Sequence, residues 1–327
     1  MPKPSASRHC ARLLLLAAVA LPSAALASDT TRVDSTRARS AATAKTGFMS
    51  SHVIVISVDG LRPDAIAKYN ATTMQRLMRG GSFTLDAHTI LPSKTLPSHT
   101  SMLTGVDVDQ HGVTWNSDET ASHGHVDVPT IFGLARTAGF QTAAFFSKPK
   151  FHHLEAKNTL DYVRSPKGGI LDTKWSAERT VAEVKKYLGS TSAAPNLMFV
   201  HIGEPDYAGH VFGWMGFVYG QAVRQADAAV ANVLAAADAR FGAGNYSVIL
   251  TADHGGHGRN HGSEDARDTT IPWIVWGKGV TRGATLGDIR TMDTAATALW
   301  LLGVEMPDTF EGRAVAGAFT LAATASR

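Results

Sequence analysis

The segment His52-Val53-Ile54-Val55-Ile56-Ser57-Val58 is β-branched and apolar almost without interruption. A half-exposed strand alternates apolar and polar residues, whereas a continuous run is expected of a strand covered on both faces. Shorter apolar runs recur at Gln141 to Phe146, Asn196 to His201, Tyr246 to Thr251 and Ile271 to Trp276. Helical patterns fall between and around them, from about Pro63, near Pro97–Leu103, Thr130–Ala138, Ser176–Leu188, Tyr219–Ala239 and Asp293–Leu302. Val223, Ala226, Val230, Val233 and Leu234 recur at three- and four-residue spacing, a stripe that faces a core. Buried strands alternating with helices predict an α/β three-layer sandwich with a mainly parallel central sheet. We find no internal repeat and no linker that would split the chain. A single domain over 49–327 is expected, with a small cap or loop near 147–175, where periodicity is weak.

The amino-terminal residues read differently. Lys3, Arg8 and Arg12 precede the apolar stretch Leu13 to Ala20, and Ala25-Leu26-Ala27 has the small-x-small form of a cleavage site. This pattern predicts a signal peptide over 1–27, hence a secreted or periplasmic protein cleaved near Ala27, with no stable membrane anchor. Residues 28–48 are small and polar, as in a flexible leader. The whole chain carries 31 Lys+Arg against 28 Asp+Glu, and removing 1–27 leaves 28 of each. No cationic run survives, which argues against duplex nucleic acid as a partner.

The one cysteine, Cys10, rules out a disulfide framework and any thiolate-rich zinc site. A metal must therefore be held by histidines and carboxylates, and the chain has 14 His. Candidates cluster where strands should end, the usual place for ligands in open α/β sheets. Asp59 follows the first strand; Asp206 and His210 follow the third run; Asp253 and His254 follow the fourth, with His261 beyond. These six residues offer enough oxygen and nitrogen for two neighbouring divalent ions, with zinc the natural choice for a His-rich set. Thr95 should open a helix, whose unsatisfied N–H groups suit a phosphoryl group.

These segments resemble the alkaline phosphatase superfamily, and most closely its nucleotide pyrophosphatase/phosphodiesterase branch. The resemblance lies in Val55-Ile56-Ser57-Val58-Asp59-Gly60-Leu61-Arg62, Thr95-Leu96-Pro97-Ser98-His99, Thr104-Gly105, His111-Gly112-Val113, Glu204-Pro205-Asp206-Tyr207-Ala208-Gly209-His210 and Asp253-His254-Gly255. It implies an alkaline-phosphatase-like core and makes Thr95 the nucleophile. One metal would be held by Asp59, Thr95, Asp253 and His254, and the other by Asp206, His210 and His261. His257 competes with His261 for the last position; His261-Gly262 ahead of Asp268 and Ile271-Pro272 is similar to the family's closing pattern. Asn116 matches a phosphate-contacting asparagine.

The resemblance implies hydrolysis of a small phosphodiester or nucleotide pyrophosphate. Two alternatives share the same metals. A phosphomonoesterase would need an extra positive group, for which Lys94, Lys148 and Lys150 are candidates, with Lys148 the substrate-binding choice. A compact relative could instead cleave the C–P bond of a phosphonate. A metal-binding protein without activity is the non-enzymatic alternative. A sulfatase is disfavoured, because that branch needs Cys or Ser where Thr95 stands. Phe151, Tyr162, Trp175, Trp214 and Tyr219 either stack a base or fill the core.

Overall fold

The structure is a computed structural model that describes residues 50–168, 172, 174–190, 194 and 196–320. The expected signal peptide and leader, and residues 169–171 and 173 of the expected cap, lie outside the described residues.

Among the described residues, seven strands form one sheet: β1 (His52–Val58), β2 (Ser82–His88), β3 (Gln141–Phe145), β4 (Tyr162–Arg164), β5 (Asn196–Ile202), β6 (Ser247–Thr251) and β7 (Thr270–Gly277), in the order β2-β7-β6-β1-β5-β3-β4. β1 is buried at every position and pairs in parallel with β5 on one side and β6 on the other. The parallel run continues through β3 to β4, whereas β7 is antiparallel to β6 and β2 is antiparallel to β7. The sheet is therefore mainly parallel, with an antiparallel flank.

The two edges of the sheet hold the two strands the sequence does not announce. β2 reads SFTLDAH and is largely exposed on an edge, so it lacks an apolar run. Its register with β7 slips between Thr84 and Ala87, opposite Pro272. A proline has no N–H to give a ladder, and an irregularity in the partner strand accommodates the missing donor. β4 has only three residues and lies at the other edge.

Among the described residues, eight α-helices of six or more residues flank the sheet: α1 (Pro63–Lys68), α2 (Thr72–Gly80), α3 (Thr95–Thr104), α4 (Ile131–Thr137), α5 (Ala177–Ser190), α6 (Glu204–Phe212), α7 (Phe217–Phe241) and α8 (Asp293–Leu302). α3, α4 and α8 pack together on one face, and α1, α2, α5, α6 and α7 on the other, giving the three layers. The apolar stripe of α7, from Val223 to Leu234, is buried as its spacing requires. Each such fully buried Val or Leu contributes about 1.5–3 kcal/mol. Asp227, on the same helix, is the polar exception: its carboxylate accepts the N–H groups of Thr73 at 2.9 Å and Met74 at 2.8 Å. It thereby satisfies two of the free donors at the start of α2 and ties that helix to α7.

Candidate metal centre

Ser57 of β1 pairs with His201 of β5 and Thr251 of β6, so three neighbouring strands end together. Asp59, Gly203 and Asp253 consequently emerge side by side at the carboxyl edge of the sheet. Asp59 extends the ladder by donating its N–H to Ile202 O at 2.9 Å. Gly60 then turns the chain against α6 with φ of 70°, and a Cβ there would stand 2.8 Å from Asp206 Cα. Only glycine takes that conformation at so close an approach without strain. The turn lets Asp206 N–H reach Asp59 O at 3.0 Å, so backbone alone fixes two carboxylates beside each other.

The candidate ligands form two adjoining groups. Asp59, Asp253 and His254 offer ligand atoms within 4.8 Å of one another, and so do Asp206, His210 and His261. In the first group, His254 Nε2 lies 3.2 Å from Asp253 Oδ2 and 3.5 Å from Asp59 Oδ1. Thr95, the first residue of α3, has its Oγ1 3.5 Å from the same nitrogen. In the second, Asp206 Oδ1 lies 3.3 Å from His210 Nε2 and 3.6 Å from His261 Nε2. The rings of His254 and His261 stack at 3.7 Å, which brings the two groups into contact. His257 stands apart, its Nδ1 2.7 Å from the buried carboxylate of Asp268.

Proton placement argues that these groups fit cations. His254 Nδ1 faces Gly255 O at 2.8 Å, His210 Nδ1 faces Arg259 O at 3.1 Å, and His261 Nδ1 faces Ser93 O at 2.8 Å. A carbonyl only accepts, so each Nδ1 carries the proton and each Nε2 of a neutral ring is a bare lone pair. Asp59 Oδ1, Asp206 Oδ1 and Asp253 Oδ2 are buried without a hydrogen-bond partner. Unprotonated nitrogens thus face orphaned carboxylate oxygens, an arrangement that repels unless a cation stands among them. Donors that are all oxygen or imidazole nitrogen suit a borderline divalent ion.

The charges are only partly balanced by protein. Lys148 Nζ lies 2.6 Å from both Asp59 Oδ2 and Asp206 Oδ2, bridging the two groups. Burial alone would raise the pKa of Asp59, but Lys148 and a hydrogen bond from His201 outweigh it and hold the carboxyl well below its usual range. Burial and the charge of Asp59 act the same way on Asp206, where Lys148 and His210 again prevail. Asp253 has no such ammonium in contact, and burial beside Asp59 pushes it well up. Burial and the neighbouring His254 hold His261 down at about 3, whereas the nearby carboxylate of Asp206 raises His210.

Two histidines outside the expected set support the first group. His201 Nε2 donates to Asp59 Oδ2 at 2.9 Å, while its Nδ1 accepts from Ser147 Oγ at 2.7 Å. His99 Nδ1 donates to Thr95 O at 2.8 Å, and its Nε2 accepts from Ser57 Oγ at 2.8 Å. A histidine near the end of an otherwise apolar strand was the available signal for His201. For His99 the signal was its position one turn after Thr95.

Asn116 Oδ1 accepts the Leu96 N–H at 3.0 Å and Lys150 Nζ at 2.9 Å, which puts it at the start of α3. Lys94 is the residue just ahead of that helix, and its stem lies against Gly262. Of the five aromatic residues weighed above, Phe151, Trp175, Trp214 and Tyr219 are buried. Trp214 is wedged between Gly209 of α6 and Gly256, where any Cβ would meet the indole at 2.5 Å or less. Tyr162 packs against Phe145 and Tyr187. Trp175 lines a cavity of about 490 Å³ that also borders Lys148, Asp206, Tyr207 and His210.

An α/β sandwich of this topology, with a mainly parallel seven-stranded sheet, is an alkaline-phosphatase-like fold. Murine ectonucleotide pyrophosphatase/phosphodiesterase 5 superposes with a TM-score of 0.65 at 16% identity, covering 78% of this chain and 96% of that one. A 2-O GAG sulfatase matches with a TM-score of 0.66 at 16% identity, covering 82% and 74%. The chain belongs to the type I phosphodiesterase/nucleotide pyrophosphatase family, whose pattern matches residues 53–263. It is 26% identical over 239 residues to the venom phosphodiesterase of Macrovipera lebetinus, covering 68% of this chain and 27% of the relative. It is 23% identical over 305 residues to GPI ethanolamine phosphate transferase 1 of Candida glabrata, covering 79% and 32%. The chain thus spans about a third or less of these curated relatives. Among the described residues, no helix is long and apolar enough to cross a membrane.

Proposed function

We propose that the protein hydrolyses phosphoric esters with Thr95 as nucleophile and two divalent ions, zinc for preference. Asp59, Asp253, His254 and Thr95 would hold one ion, and Asp206, His210 and His261 the other. The observation that carries the reading is the convergence on Thr95 Oγ1: His254 Nε2 stands 3.5 Å away, in a pocket whose carboxylate oxygens lack partners. A threonine hydroxyl is a weak nucleophile and needs activation; bound divalent ions supply Lewis acidity for that and for the departing oxygen.

Thr95 Oγ1 attacks phosphorus, an ester to Thr95 forms as the bond to the leaving oxygen breaks, and the proton given up by Thr95 ends, through solvent, on that oxygen as the departing alcohol. Water then cleaves the phosphothreonine, freeing phosphate or its remaining ester. His99 orients the first turn of α3 from below, and His201 fixes the carboxylate of Asp59. The Leu96 N–H and the Asn116 amide would serve as donors to the phosphoryl oxygens, in place of the hydrogen bond they make to each other. Diesters and nucleotide pyrophosphates are the substrates the family supplies, and the cavity beside Asp206 and His210 offers space for a leaving group. The signal-like pattern in 1–27 supports export.

The test is hydrolysis of bis-p-nitrophenyl phosphate and p-nitrophenyl phosphate by the full chain, before and after EDTA and after zinc is restored. Metal-dependent turnover of either ester supports the reading. Stoichiometric metal binding with turnover of neither would leave a metal-binding protein without activity.

A further inference from the structure

Four large apolar side chains stand in water beside the metal centre. Tyr207, Val211 and Phe212 of α6 are 48%, 40% and 55% exposed, and Phe217, the first residue of α7, is 75% exposed. α6 also carries Asp206 and His210, and Tyr207 lines the same cavity as those two residues. Val211 and Phe212 follow His210 directly. The turn 213–216 then brings the chain back: a Cβ on Gly216 would stand 3.9 Å from Phe212 O. That turn is firmly held. Trp214 donates its N–H to Gly258 O at 2.8 Å and its indole N–H to Gly60 O at 3.0 Å, and the Tyr69 hydroxyl donates to Met215 O. Met215 takes φ of 63°, a left-handed conformation that residues with a Cβ seldom adopt. A fixed turn thus keeps the two phenylalanines out of the core.

Exposed cations border this apolar rim. Lys68, the last residue of α1, reaches the turn with its Nζ 3.2 Å from Met215 O. The stem of Arg259 lies beside Gly213, its Cγ 4.0 Å from where a Cβ on that glycine would stand. The ammonium of Lys174 sits over the ring of Tyr207. All three residues are exposed. Their long stems let the charged ends move to meet an anionic surface while the rings stay where the turn holds them.

We propose that this rim is a docking surface for an anionic phospholipid membrane, with Val211, Phe212 and Phe217 entering the acyl boundary and Lys68, Lys174 and Arg259 meeting the lipid phosphates. Exposed apolar patches mark interaction surfaces, and aromatic side chains bordered by Lys and Arg suit the headgroup layer. Size argues against a second copy of the chain as the occupant. At these exposures the four side chains offer on the order of 400 Å², half of the roughly 800 Å² that each partner of a standard protein interface contributes. A lipid surface needs no matching contour, and each cation near it adds attraction. The binding is peripheral and reversible, and it turns the cavity beside Asp206 and His210 toward the headgroups. The inference stands apart from the hydrolase reading, because docking is read without turnover.

The experiment sediments the full chain with vesicles of phosphatidylcholine alone and of equal parts phosphatidylcholine and phosphatidylglycerol. Wild type is compared with Phe212→Ser/Phe217→Ser and with Lys68→Gln/Arg259→Gln; residues 1–27 are common to all three, so the differences report the rim. The phenylalanine pair should weaken partitioning into the mixed vesicles at least about tenfold. The cation pair should weaken it about tenfold on the mixed vesicles and little on phosphatidylcholine, an effect that 0.5 M salt removes. A nitroxide on Phe217→Cys, in a Cys10→Ser background, reads the contact locally: with mixed vesicles it should become less accessible to an aqueous nickel chelate and more accessible to oxygen. Equal partitioning of all three proteins, or a nitroxide whose accessibility vesicles do not change, overturns the proposal. So does a dimer in wild type that Phe212→Ser/Phe217→Ser converts to monomer by ultracentrifugation, since the rim would then cover a second copy.

Discussion

His210 and His261 hold their Nε2 atoms 3.1 Å apart, while each Nδ1 is committed to a backbone carbonyl. The contact is favourable only with a proton or a metal between the nitrogens. Proximity to the Asp206 carboxylate raises the pKa of His210, so proton and metal compete for one position. The second divalent ion should therefore bind progressively more weakly as pH falls through the histidine range. His261→Ala should reduce bound zinc from two ions per chain to one, measured by elemental analysis after gel filtration. Two ions retained in that variant would point to His257 as the ligand.

Lys148 takes the place of cationic charge between Asp59 and Asp206 at 2.6 Å from each. Replacing it by Met leaves two buried carboxylates without their ammonium, which should cost the metal-free protein about 3 kcal/mol. Divalent ions would supply the missing charge, so the loss should shrink in the metal-loaded protein. Thermal unfolding with EDTA and with saturating zinc checks this. Equal losses under both conditions would mean that Lys148 and the metals act independently.

His52 opens β1 and stacks on Phe241 at 3.9 Å. Burial, with the charges of Lys278 and Arg240, lowers its pKa to about 4 from 6.5. The unfolded chain therefore binds more protons than the folded one between those values, and stability falls as pH drops through that window. The contribution is present above about 6.5 and lost by about 4, amounting to about 3 kcal/mol at most. Urea unfolding at pH 7 and pH 4.5 should show a smaller acid-induced loss in His52→Phe than in wild type.

How much of this was legible in the sequence follows from where each signal resides. β1, β5 and β6 are buried on both faces, so their apolar runs announce them. β2 and β4 lie at edges, where a strand needs no such run, and they went unread. Asp59, Asp206 and Asp253 stand out as acids just after apolar runs. Their orphaned oxygens and the bridging Lys148 depend on tertiary contacts that no spacing encodes. Lys150 could be singled out as a candidate cation, but its lack of a carboxylate partner is visible only in three dimensions. Trp214 was ambiguous because only the folded chain brings Gly209 and Gly256 to either side of it.

Thr95 is the group proposed to accept phosphorus. The most direct measurement is acid quenching of the zinc-loaded protein during turnover, followed by peptide mass spectrometry across residues 94–106. A phosphoryl group is expected on Thr95 in wild type, with no such adduct after EDTA and a loss of turnover on the order of a thousandfold or more in Thr95→Ala. Undiminished turnover in Thr95→Ala, or phosphate on another side chain, would contradict that role.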